Sequence, residues 1–152
     1  MIMETHRQSL EEASTQVGGE ARMLLPGVQT ILGFQLMAVF NQRFERFTSA
    51  EQTLHFVAFL LVALTMGLMM APAAYHRQAE RRVVTERFVR LSSRLLTWSI
   101  APFMVGVSLD TYLVGRMILE DTTWAALAAA AIFAVLAGLW FVLPAVGHRN
   151  HR

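Results

Sequence analysis

The stretch TTWAALAAAAIFAVLAGLWFVLPAVGH, residues 122–148, contains no acidic residue and no arginine. A helix needs about 20 apolar residues to cross the hydrocarbon core of a bilayer, and this run supplies them without interruption. Three more runs appear on working back towards the N-terminus. LLTWSIAPFMVGVSLDTYLVG (95–115) carries a single acid, Asp110. Between Glu51 and Arg77 the only ionisable side chains are His55, Tyr75 and His76, and MLLPGVQTILGFQLMAVFNQ (23–42) has no charge at all. The expectation is an all-α membrane protein with four transmembrane helices, at about 23–42, 52–75, 95–115 and 123–146. Residues 1–20 are then a polar N-terminal segment, 21–148 the membrane domain and 149–152 a tail.

Composition agrees: 55% of the 152 residues are hydrophobic and 16% charged, with a mean hydropathy of +0.43, outside the range of a soluble domain of this size. All 13 basic side chains are arginine, which excludes a P-loop lysine or a Schiff-base lysine. Zero cysteines exclude disulfides, thiolate nucleophiles and Cys-ligated metals. The isoelectric point near 9.9 does not point to nucleic acid, because the net charge is only +2 and the arginines stand at the ends of apolar runs. Anionic lipid head groups are the expected counter-charge.

Arginine asymmetry sets the expected orientation. Arg77, Arg81, Arg82, Arg87 and Arg90 lie between spans two and three, Arg7 and Arg22 precede span one, and Arg149 and Arg152 follow span four. Only Arg43, Arg46 and Arg116 fall on the other side. Both termini are therefore expected in the cytoplasm of a bacterium, the chain lying in its plasma membrane. Residues 1–20 contain Glu4, Glu11, Glu12 and Glu20 in place of a short apolar core, so a signal peptide is not expected. Each run holds one proline, Pro26, Pro72, Pro102 or Pro144. Pro102 alone is near mid-span, which makes span three the one expected to kink.

Spans two and four end alike, GLMMAPAAYHR against GLWFVLPAVGHR, sharing P-A-x-x-H-R at 72–77 and 144–149. Duplicated hairpins and independent helix endings at the head-group layer both account for this. In RQAERRVVTERFVRLSSR (77–94), Val84, Phe88, Leu91 and Leu95 follow helical spacing while Arg87, Arg90 and Arg94 line another face. This predicts an amphipathic cytoplasmic extension leading into span three, with Arg81, Arg82, Arg87, Arg90 and Arg94 at lipid head groups and Glu86 and Arg90 paired at i,i+4.

Two motifs carry a resemblance. Leu24, Leu25, Pro26, Gly27, Val28 and Gln29, followed by Ala71, Pro72, Ala73, Ala74, Tyr75, His76 and Arg77, make residues of about 20–147 similar to a family of small, uncharacterised bacterial four-span membrane proteins, catalogued as a domain of unknown function. The resemblance implies the four-helix fold and carries over no active site. Some relatives bear a sodium:proton antiporter label, which adds a proton-coupled monovalent cation carrier as the alternative activity.

The residues offer such a carrier one candidate site. With about 1.5 Å rise per residue, Asn41, His55 and Asp110 all fall roughly 9–12 Å from the mid-plane in one layer. An acid in a membrane helix costs about 2.5–3.5 kcal/mol at the centre on insertion scales. Asp110 is therefore either a titratable ion site or a hydrogen-bonding group that holds helices together through Asn41 or His55. Gln29 and Gln35 are expected in interhelical hydrogen bonds, and their six-residue spacing puts them on different faces, against a polar pore. Ala63, Gly67 and Ala71 in span two, and Ala126, Ala130, Ala134 and Gly138 in span four, form small-residue faces expected to touch each other or a neighbouring subunit. Met66, Met69 and Met70 read as packing filler, and His148 and His151 alone make no metal site. There is no Ser/His/Asp arrangement, paired acid, H-E-x-x-H or glycine-rich phosphate loop. The primary expectation is a non-enzymatic packing or accessory protein without cofactor, forming a homo-oligomer or standing beside a larger membrane partner.

Overall fold

The computed structural model describes residues 2–79 and 85–145. These form four long helices: α1 (Ile2–Val39), α2 (Ser49–Ala79), α3 (Glu86–Leu119) and α4 (Thr122–Ala137), the last continuing through a π-helical segment at Gly138–Val142. All four are long and apolar enough to cross a membrane, and there is no strand among the described residues. The N-terminal residues do not form a separate element. They belong to α1, whose 38 residues reach about 57 Å, well beyond a hydrocarbon core of about 30 Å.

Helices α1 to α3 are built around seams of seven-residue period. On α2 the inward positions are His55, Val62, Met69 and His76, interleaved with Ala58, Thr65 and Pro72. On α3 they are Ser92, Ser99, Gly106 and Leu113, all buried, and on α1 Ser14, Ala21, Val28 and Gln35. Val28, Val62 and Met69 form the centre of the core, wrapped by Leu25, Ile31, Leu32, Met66, Leu96 and Phe103. A 3.5-residue seam keeps one stripe facing its neighbours along a long helix. The small residues of α3 let α2 approach closely: a Cβ on Gly106 would stand 3.0 Å from Val62 Cγ2 and 3.3 Å from the Ala58 carbonyl oxygen. The Thr65 hydroxyl adds a 3.4 Å contact to the Ser99 carbonyl.

Helix α4 stands outside this core. It packs on α3 through Ala125, fully buried, against Gly115, where an added Cβ would meet Ala125 at 3.1 Å, and through the Phe103 and Trp140 rings at 6.1 Å. Spans two and four do not form a principal contact among the described residues, where each packs mainly on α3. Ala126, Ala130 and Ala134 are exposed, as is Gly67, around which there is open space.

Local chemistry explains the helix ends. Thr48 and Glu51 form a capping box: the Glu51 N–H donates to Thr48 Oγ1 (3.3 Å) and the Thr48 N–H to Glu51 Oε2 (2.9 Å). Asp121 caps α4 through the N–H groups of Thr123 and Trp124, one residue after Glu120 turns the chain in a left-handed conformation (φ 55°). Helix α3 runs through Pro102 without interruption. A departure from α geometry lies before Pro144. That ring has no N–H to give and crowds the carbonyl four residues back, and the wider π turn accommodates it, with Leu143 N–H reaching Gly138.

The amphipathic extension is shorter than expected. Thr85 has an extended backbone (φ −102°, ψ 152°) and caps α3 by accepting from Phe88 N–H, so no single helix covers 77–94. From Glu86 onward the expected faces appear, with Phe88 buried, Leu91 and Leu95 half-buried, and Arg87, Arg90 and Arg94 exposed. Arg90 lies 3.6 Å from Glu86. Arg81, Arg82 and Val84 lie outside the described residues, as do His148 and His151.

Candidate functional site: a polar cluster across three helices

Three helices each contribute one polar group at the same level of the core. Gln35 is the innermost polar residue of the α1 seam, and its Nε2 donates to Asp110 Oδ2 at 2.7 Å. His55 opens the buried face of α2, with Nε2 2.9 Å from the Gln35 backbone carbonyl and Nδ1 3.8 Å from Asp110 Oδ1. Because a carbonyl oxygen only accepts, the His55–Gln35 bond requires the proton on Nε2. A neutral His55 then turns an unprotonated Nδ1 towards Asp110.

The cluster is largely screened from the surroundings. Gln35 and His55 are buried and Asp110 is partly exposed. An adjoining cavity of about 220 Å³ is walled by Ile31, Phe34, Phe44, Phe47, Leu113 and Met117, and the Phe44 ring stands edge-on to His55 at 5.2 Å. One polar atom stays unpaired, Gln35 Oε1. About two turns further along α3, Arg116 Nε meets Glu51 Oε1 at 2.9 Å, so the capping-box carboxylate also ties α2 to α3.

Of the three residues expected in one layer, His55 and Asp110 come together and Asn41 does not. Helix α1 ends at Val39, and Asn41 starts the 3-10 turn Gln42–Arg46 by accepting from Arg43 N–H at 2.9 Å. Its place is taken by Gln35, six residues earlier. Gln29, also expected in an interhelical bond, is exposed on the outer face of α1. Met69 lies in the core and Met66 packs against it, while Met70 is largely exposed. The Glu51–Arg116 pair had a sequence signal, opposite charges at the facing ends of consecutive apolar runs, and the capping box had another in T-x-x-E at 48–51.

The two motif stretches meet elsewhere, where α1 begins its apolar run and α2 ends its own. Leu25 faces Pro72, Ala73 and His76 across a second cavity, of about 440 Å³. His76 stacks obliquely on Phe88 at 5.2 Å, with Tyr75 beside the same ring at 6.1 Å. Among the described residues no three His, Asp or Glu side chains converge as a metal set.

A family model described as "Family of unknown function (DUF6328)" matches residues 3–144. No curated protein matches the chain, and no solved structure does.

Proposed function

The chain belongs to this family of unknown function, whose model covers nearly its whole length, and from that premise we propose a small multi-pass protein of the bacterial plasma membrane, without enzymatic activity, that acts by packing against copies of itself. The observation that carries the reading is the closure of the polar cluster. Gln35, His55 and Asp110 engage one another across α1, α2 and α3, and the space beside them is walled mainly by hydrocarbon and phenyl rings, a poor lining for a hydrated cation. Buried polar groups that bond across helices specify how helices assemble.

The surfaces left for association are the small-residue faces of α4 and of outer α2. Arg22, Arg77, Arg87, Arg90 and Arg94 cluster where α1 enters and α2 leaves the apolar region, which supports cytoplasmic termini and head-group contacts on that side.

One observation favours a second reading. His55 Nδ1 stands 3.8 Å from Asp110 Oδ1, an acid beside a histidine inside long apolar helices, the residue types from which the proton relays of carriers are built. Flux of protons and sodium into proteoliposomes under an imposed pH gradient separates the two. The packing reading expects no flux above empty liposomes. Sodium-dependent flux that disappears in a folded Asp110→Asn variant would replace it with the carrier.

A further inference from the structure

We propose that the cavity between α1, α2 and α3 at the arginine-rich end of the bundle binds one anionic amphiphile, an acidic head group on a hydrocarbon tail. Its volume of about 440 Å³ falls in the ~300–1,000 Å³ range of ligand pockets. Among the described residues no acidic one lines it, and its one permanent charge is Arg22. Ser14 and Thr15 of α1, His76 in the last turn of α2 and Ser92 of α3 supply the other polar groups. Leu25, Met69 and Leu96 supply the apolar wall.

The placement of these groups selects the ligand. Arg22 and Arg77 mark where the charge-free runs of α1 and α2 begin and end, so the polar groups sit at head-group depth. Leu25, Met69 and Leu96 lie one or more turns deeper, at the depth of acyl chains. Two atoms of the wall also lack partners. Ser92 is only 2% exposed and its hydroxyl makes no hydrogen bond, and His76 Nδ1 is buried and unpaired. Leaving such groups buried and unpaired is costly. An oxyanion beside Arg22 would accept from the Ser92 hydroxyl and, with the proton on Nδ1, from His76. The ligand can come from the bilayer, as an acidic phospholipid, or from solution, as a fatty-acid-like anion. The recognition chemistry is the same.

Native mass spectrometry of the full chain in detergent tests this, with phosphatidylglycerol, zwitterionic phosphatidylcholine and decanoate as probes. One phosphatidylglycerol or one decanoate per chain is expected, against no retained phosphatidylcholine. Arg22→Gln should weaken the bound probe about tenfold, the loss of one charged hydrogen bond. Gly18→Leu should abolish binding without loss of thermal stability, because Gly18 lines the cavity, a Cβ there meets nothing within 4 Å, and leucine favours a helix over glycine. Phosphatidylglycerol without decanoate assigns the seat to membrane lipid, decanoate alone assigns it to a soluble anion, and competition between them supports the shared chemistry. Equal retention of the acidic and zwitterionic lipids, binding of no probe, or binding unmoved by both substitutions overturns the proposal.

Discussion

Asp110 presents its two oxygens to two different helices, Oδ2 to Gln35 of α1 and Oδ1 to His55 of α2. Removing the carboxylate does more than delete a bond, because Gln35 Oε1 already lacks a partner and Gln35 Nε2 would then lack one as well. Asp110→Leu should destabilise the protein by about 1–3 kcal/mol, the cost of leaving buried polar groups unpaired. Asp110→Asn keeps an acceptor and should lose closer to the ~0.6 kcal/mol average of a membrane hydrogen bond. Unfolding in mixed detergent–SDS micelles measures both, and an Asp110→Leu variant as stable as the wild type would remove the cluster from any packing role. Asp110 and His55 were visible in the sequence as ionisable groups inside apolar runs. Gln35 is legible as a residue that bonds between helices, and the structure bears this out, but its pairing with Asp110 is not, because depth counted from the span centre points to Asn41. Whether a position is still on the helix, and which way it faces, decides the contact: α1 stops at Val39, and it is Gln35 that lies on the Val28 face.

At the scale of the element, two glycines with the same residue type have opposite surroundings. Gly106 lies in the buried seam of α3 against Val62 and Ala58, whereas Gly67 faces open space. Gly106→Ala should cost about 1–3 kcal/mol through overpacking. Gly67→Ala should be neutral or gain up to about 1 kcal/mol from helix propensity. Thermal unfolding of the two variants side by side checks the contrast, and equal effects would contradict the seam. The four-residue repeats of small side chains at 63, 67 and 71 suggested the packing face of α2, yet the buried face follows Ala58, Val62, Thr65 and Met69. In a run apolar on every side, hydrophobicity does not mark which stripe is inside, so the helix was legible and its rotation was not. The break at Thr85 was similarly hidden, since the apolar spacing from Val84 to Leu95 continues across it. Only its hydroxyl, three residues before Phe88, offered a capping signal.

For the whole molecule the unequal standing of the helices matters most. Helices α1 to α3 enclose the polar cluster and the core, while α4 touches the rest through one face on α3 and exposes Ala126, Ala130 and Ala134. Under the packing reading, that stripe meets its counterpart on a second copy. The chain has no cysteine, so a single Ala130→Cys substitution gives a clean probe. Oxidation in native membranes should yield a disulfide-linked dimer on non-reducing gels, and a monomer under every oxidant would take α4 out of a symmetric interface. Four long apolar helices are legible in the sequence because apolar length is a one-dimensional property. Their unequal roles depend on which neighbour each one finds, which no single run discloses.

The place of α4 outside the polar cluster also bears on how the protein is made. In synthesis from the N-terminus, Gln35, His55 and Asp110 all leave the ribosome ahead of α4. The carboxylate can thus meet its partners before the last helix docks, and α4 has no polar group to supply to the cluster.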